Sequence, residues 1–345
     1  MVRIGVVGIH YGCFVQIPAL RRDPRCRVVA LAASSPERAS AAARASGICG
    51  SFGDWKTLVE DDEVDAVVLA VPPAVQSTIA CHALQLGKPV LAEKPMAIDL
   101  SAAAEMLDLS RKIAGPAMID FGFPEVPSWR EAKRLLTAGG IGRLRHIFVN
   151  WTVENRAALQ GDRGWKSRSE LGGSALFNFA SHSLHYLEWL CGPLEGLGAR
   201  LSGLRGDDTT AVLSLAFASG AAGSLALSCA SYLGAGHRLE IYGDDGTLVL
   251  ANESKDYMRG FRLFYGRRPA EALTPLSLDE GAMDAAEDGR ILPFSRIASR
   301  FIDAIENRSG AKPDFSDGYR VQVLLEAARQ AHRTGRWIEA EARQP

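Results

Sequence analysis

Short apolar runs alternate with amphipathic stretches over the first third of the chain. The runs RIGVVG from Arg3, CRVVALAA from Cys26, AVVLAV from Ala66, PVLAE from Pro89 and AMIDF from Ala117 predict strands. Between them SPERASAAARA, AVQSTIACHALQLG and SAAAEMLDLSRKIA predict helices, the last preceded by Asp99 and Ser101 as candidate caps. Strand and helix in strict alternation predict an α/β domain with a doubly wound parallel sheet.

The rhythm changes at FGFPEVPSW, where two prolines interrupt the alternation ahead of a helix, SWREAKRLLTAGG, that ends on paired glycines. From RHIFVNWTVE onward the period is that of strands. TAVLSLAFASGAAGSLALSCAS and HRLEIYGDDGTLVLA each hold two runs, with ASG and GDDG as hairpin turns. FSRIASRFIDAIENR and SDGYRVQVLLEAARQAHRTG predict two closing helices, and SLDEGAMDAAEDGR a surface loop. The pattern divides into a nucleotide-type domain over residues 1–121 and an α+β domain over residues 122–345.

Composition narrows the function classes. At 345 residues the chain suits two domains, and a formal net charge of -1 leaves no basic field for nucleic acid. Six scattered cysteines lack any C-x-x-C pair, which fits reduced thiols in a cytoplasmic protein. The first strand begins by Arg3, leaving no room for a signal peptide, and no apolar run reaches the ~20 residues a membrane helix needs. Small molecules are the expected partners.

Candidate chemistry starts where the first strand meets Gly8. A G-x-G-x-x-G dinucleotide fingerprint would place glycine at positions 10 and 13, which here are His10 and Cys13, while Tyr11 and Gly12 lie between them. Gly12 supplies flexibility, and amides at the start of the following helix remain for an anion. In an open parallel sheet, ligands bind beyond the carboxyl ends of the strands, which singles out Gly8–Gly12, Ala33–Ser35, Val71–Pro73 and Glu93–Pro95. Lys94 in AEKP is placed either to meet a ligand or, with Glu93, to solvate a strand end. Farther on, Asn178, His182, His185 and Tyr186 recur at helical spacing on one face. They line a pocket or include satisfied core histidines. The histidine spacing lacks the glutamate of H-E-x-x-H, so no metal is expected.

The ordered set GVVG with IPAL, VPPAVQ, GKPVLAEKPMA, REAKRLLTAGGIGRLRHI, GGSALFNFASHSLHYLEWLCG, HRLEIYGDDGTLVL and FSDGYRVQVLLEAA resembles the glucose-fructose oxidoreductase / inositol dehydrogenase / MocA-like family of nicotinamide-dependent oxidoreductases. The resemblance implies a Rossmann domain followed by a domain with a large open, mainly antiparallel sheet, through which family members form homodimers or homotetramers. It implies hydride transfer to or from a sugar, nucleotide-sugar or cyclitol-like alcohol or ketone, with Lys94 contacting cofactor and substrate. The family's D-x-G-x-H-x-x-D segment falls on Asn178 to His185, so that its histidine is kept as His182 and both aspartates are replaced. The catalytic set expected is Lys94 with His182 and Asn178, the alternatives being His182 alone or His185 with Tyr186 as a replacement set, and Lys94, Asn178, His182, His185 and Tyr186 are expected at the substrate.

The cofactor contacts expected are Gly8, His10, Tyr11, Gly12, Ser34, Ser35, Arg38, Val71, Pro72, Pro73, Gln76, Glu93, Lys94 and Pro95. Ala33 stands where an NAD-binding aspartate would fall, and Ser34, Ser35 and Arg38 suit a 2'-phosphate, so NADP is expected ahead of NAD. A helix cap with a solvated arginine is the plainer reading of SSPER. Trp165 and Lys166 are expected to touch substrate, or else to be a buried indole beside a surface lysine. A ligand-sensing or regulatory protein on the same fold is the alternative to an enzyme.

Overall fold

The computed structural model describes residues 1–155, 171, 173–204, 207–279 and 286–340. The chain divides into two compact units, Met1–Gly122 with Ala285–Gln322, and Phe123–Asp284 with Val323–Pro345.

In the first unit the strands are β1 (Val2–Val7), β2 (Cys26–Ala32), β3 (Gly50–Phe52), β4 (Ala66–Leu69), β5 (Val90–Ala92) and β6 (Ala117–Ile119). All neighbours pair in parallel, in the order β3-β2-β1-β4-β5-β6. The order reverses between β1 and β4, which makes their carboxyl ends the switch point of a dinucleotide-binding sheet. β4, β5 and β6 are buried at every position, as expected where helices cover both faces.

Helices α1 (Ile17–Leu20), α2 (Pro36–Ala45), α3 (Trp55–Glu60), α4 (Pro73–Gln85) and α5 (Leu100–Ser110) fill the crossovers. α5 is capped by Asp99, whose carboxylate accepts from the amide of Ala102 at 2.8 Å. Residues expected in the second domain from their order in the chain return to this unit. Ile291, Phe294, Ile297, Phe301 and Ile302 of one helix bury against Ile4, Leu20 and Val28 in a single core.

The second unit holds α6 (Pro127–Thr137), β7 (Leu144–Thr152) and α7 (Ser181–Cys191). Next come β8 (Leu194–Leu204), β9 (Asp207–Phe217), β10 (Ala222–Ser228), β11 (Gly236–Gly243), β12 (Gly246–Asn252), β13 (Arg262–Arg267) and β14 (Thr274–Leu276). The returning helix is α8 (Ile291–Asn307); α9 (Phe315–Thr334) and β15 (Ile338–Glu339) complete the elements. The strands form a nine-stranded sheet among the described residues, antiparallel except where β7 meets β10. GDDG joins β11 to β12 and ASG joins β9 to β10, with Gly220 taking a φ of +81° in the latter turn.

Candidate active site

At the switch point, Gly8 holds a φ of +115°, and a Cβ there would lie 2.2 Å from the carbonyl oxygen of Ala70. Only glycine fits, because the ends of β1 and β4 approach each other backbone to backbone. The next residues depart from the fingerprint: His10 is exposed and Tyr11 half-buried, and Gly12–Gln16 form a π-helical turn before α1. Such turns concentrate at functional segments. Val71 and Pro72 are half-buried at the end of β4, and Pro73 starts α4. At the end of β2, Ser34 and Arg38 are exposed, and the guanidinium of Arg38 donates to Ser34 Oγ at 2.7 Å. Ser35 caps α2 by accepting from the amide of Arg38.

The Glu93-Lys94-Pro95 segment follows β5 and is held from behind. Gln76, wholly buried on α4, donates through Nε2 to the carbonyls of Glu93 at 2.6 Å, Pro95 at 3.2 Å and Met96 at 3.1 Å. Its Oε1 accepts from the amide of Glu93 at 2.9 Å. Gln76 was expected among the cofactor contacts, but its amide is occupied by the loop that carries Lys94, so it acts on that loop. Gln16, in the π-helical turn, donates to the carbonyl of Leu69 at 3.1 Å and to Glu93 Oε1 at 3.3 Å, tying the glycine loop to the same segment. Lys94 itself is half-buried.

One residue at these strand ends escapes sequence reasoning. Asp120 follows β6, is 5% exposed, and accepts from the Tyr11 hydroxyl at 3.0 Å. Burial pushes its carboxyl above the usual range, against hydrogen bonds with Glu93 and Tyr11 and the charges of Lys94 and Arg290. The Arg290 guanidinium lies over the Tyr11 ring, 5.2 Å from its centroid, and pairs with Asp288 at 2.5 Å. The available signal was position alone, an acid at the carboxyl end of a parallel strand.

The helix with the histidine motif belongs to the second unit and is also preceded by a π-helical turn, Leu176–Ala180, which contains Asn178. Just before it Ser174 holds a φ of 124°; for a residue other than glycine such a backbone costs about 1–3 kcal/mol. Asn178 is half-buried, with its backbone N–H donating to the carbonyl of Ser174 at 3.0 Å. His182 is buried on α7, edge-on to Phe123 with ring centroids 5.1 Å apart and near Trp151 and Tyr257. His185 is half-buried.

Tyr186, expected with the substrate residues, is instead core. It is fully buried, packs on Trp129 at 4.5 Å and on Phe123 at 5.4 Å, and burial pushes its phenol up. Its hydroxyl donates to Ser183 Oγ at 3.0 Å, and Ser183 in turn donates to the carbonyl of Phe179 at 3.1 Å. The remaining contact of the phenol oxygen, His237 Nε2 at 3.0 Å, must therefore be accepted, so the imidazole carries its proton on Nε2. His237 stacks flat on Trp151 at 4.2 Å, and burial holds its pKa down at about 3. The chain His237, Tyr186, Ser183 ends on the turn that carries Asn178. Sequence reasoning missed His237, which sits among alternating strand residues with no local mark.

Trp165 and Lys166 lie outside the described residues. Among the described residues no cluster of three His, Cys, Asp or Glu side chains could hold a metal ion, and no helix is long and apolar enough to cross a membrane.

Comparison with known proteins agrees with this layout. The profile of an oxidoreductase family with an NAD-binding Rossmann fold matches residues 2–121, and that of the GFO/IDH/MocA C-terminal domain matches residues 129–249. An uncharacterized oxidoreductase of Synechocystis sp. is 32% identical, over 97% of this chain and 95% of its own length. A dTDP-3,4-didehydro-2,6-dideoxy-alpha-D-glucose 3-reductase of Streptomyces violaceoruber is 30% identical over 71% of this chain and 78% of that protein. A levoglucosan dehydrogenase solved with NADH and levoglucosan superposes with a TM-score of 0.89, covering 99% of this chain and 100% of that one, at 22% identity, which shows a shared fold.

Proposed function

The chain belongs to the GFO/IDH/MocA oxidoreductase family, and from that premise we propose that it transfers a hydride between a nicotinamide cofactor and a sugar, nucleotide-sugar or cyclitol-like alcohol or ketone. The observation that carries the proposal is the fixation of Lys94 at the end of β5, with its loop clamped by Gln76 beside the glycine cradle of the switch point. The names of two relatives, a sugar-nucleotide reductase and a levoglucosan dehydrogenase, point to the same substrate class.

The cradle suits a dinucleotide: Gly8 has no room for a side chain, the chain from Ile9 to Gly12 brings peptide amides to a diphosphate, and Val71–Pro73 offer shape. When bound, the nicotinamide gives or takes the hydride. The residues of the chain handle the proton. Lys94 donates it to the carbonyl oxygen in reduction and, as the neutral amine, withdraws it from the alcohol in oxidation. His182 is the second acid–base group, and Asn178 orients a ring or a substrate hydroxyl without adding charge. The reduced thiols expected of the six free cysteines support a cytoplasmic site of action. Phe148 and Val212, exposed on the nine-stranded sheet, support self-association through that face into dimers or tetramers.

We assign NADP as the preferred cofactor on the absence of an acid at Ala33 and the pairing of Arg38 with Ser34. Ala33→Asp should then weaken NADPH binding roughly tenfold or more while sparing NADH, by like-charge repulsion of the 2'-phosphate. A wild-type protein that binds NADH more tightly than NADPH in a fluorescence titration would overturn the assignment. The hydride-transfer reading is tested with NADPH and a panel of keto-sugars, where binding without turnover would favour a sensor.

A further inference from the structure

Asp120 and Glu93 bring two carboxyl groups into hydrogen-bond contact at the ends of β6 and β5. The backbone sets the approach, because the amide of Asp120 donates to the carbonyl of Ala92 at 2.8 Å and places the two side chains on adjacent strand ends. Ionised carboxylates only accept hydrogen bonds, so contact between two of them requires a proton. Each member of the pair also accepts from a neighbouring donor. Tyr11 donates to Asp120 Oδ2 and Gln16 donates to Glu93 Oε1. Two cations act on Asp120, Lys94 next in sequence to Glu93 and Arg290 over Tyr11, the latter itself paired with Asp288. One proton on the pair leaves a single negative charge there, and its loss leaves two.

We propose that Asp120 is a positioning residue for Lys94: the Asp120–Glu93 pair shares one proton, and release of that proton adds a second negative charge that keeps the Lys94 ammonium protonated into the alkaline range. The inference rests on the reading of Lys94 as proton donor, since it explains how that lysine stays charged in a half-buried place. The geometry is economical. Neither carboxyl need touch substrate or cofactor, and the charge of the pair adjusts to pH where a lone carboxylate would not.

The test is the pH dependence of Lys94 acetylation by a trace of acetic anhydride, read by mass spectrometry on the whole protein, which requires neither cofactor nor substrate. Asp120→Asn keeps the shape and a donor to Glu93 but removes the second charge. It should lower the labelling midpoint of Lys94 by about one pH unit, making it roughly tenfold more reactive at a fixed pH below the midpoint. Glu93→Gln removes a charge from the other member and should shift the midpoint the same way, so that either folded variant decides. A midpoint unchanged or raised in the folded variants overturns the proposal, because a merely structural Asp120 would leave it in place. With a turned-over substrate, the alkaline limb of ketone reduction should move with the labelling. If labelling moves and the limb does not, the acid pair stands and the proton-donor role of Lys94 falls.

Discussion

The replacement of the family aspartate by Asn178 changes the chemistry available to His182. If Asn178 stands beside His182 as the proposed site requires, a carboxylate in its place would stabilise the imidazolium, whereas the amide orients without charge. Asn178→Asp should raise the histidine's pKa and increase the initial rate of oxidation relative to reduction, with the pH profile shifting upward and the equilibrium constant unchanged. His182→Ala should cancel that shift; a shift that persists without the imidazole would remove Asn178 as its partner. The residue scale is also where the sequence was least legible. Lys94 announced itself through Glu93 and Pro95, but Asp120 has no motif around it, and only the pairing of β5 with β6 brings it to Glu93. Tyr186 misled for the opposite reason: helical spacing puts it on the stripe with His182, while Trp129 and Phe123, remote in sequence, bury it.

At the scale of elements, continuous apolar runs made β1, β2, β4, β5 and β6 readable, and Ser or Asp caps marked the helix starts. β3 is three residues long and leaves no period to detect. β8 was hidden by Gly196, Gly198 and Gly203, which weaken strand propensity; at Gly196 the reason is packing, since a Cβ would lie 2.5 Å from Trp337 Nε1. Neither π-helical turn could be read, because one extra residue per turn leaves no mark on a short apolar pattern. The contact between α7 and β11 carries a pH dependence of its own. His237 is neutral in the fold, with its pKa at about 3 against 6.5 when unfolded. The stability this contributes is complete above 6.5 and is lost as pH falls toward 3, because the unfolded chain binds the proton first. Urea unfolding should therefore lose about 1.4 kcal/mol per pH unit below 6.5 through this group. His237→Gln, which can still donate to Tyr186, should remove that part of the slope; equal slopes in the two proteins would exclude the imidazole as its source.

For the whole molecule, the two sheets were legible as a change of period from strand–helix alternation to alternating strands, and the order of motifs supplied the family. The return of α8 to the first unit was not legible, since its apolar face records that it is buried and not against what. The proposed reaction depends on Lys94 moving the proton that accompanies hydride transfer, and the most direct measurement is the rate of NADPH oxidation with keto-sugars by the wild-type protein and by Lys94→Met, with NADPH binding followed in the same samples. The expected result is turnover by the wild type alone, a loss of at least about 100-fold in the variant, and cofactor binding in both. Near-wild-type turnover by Lys94→Met would contradict the account.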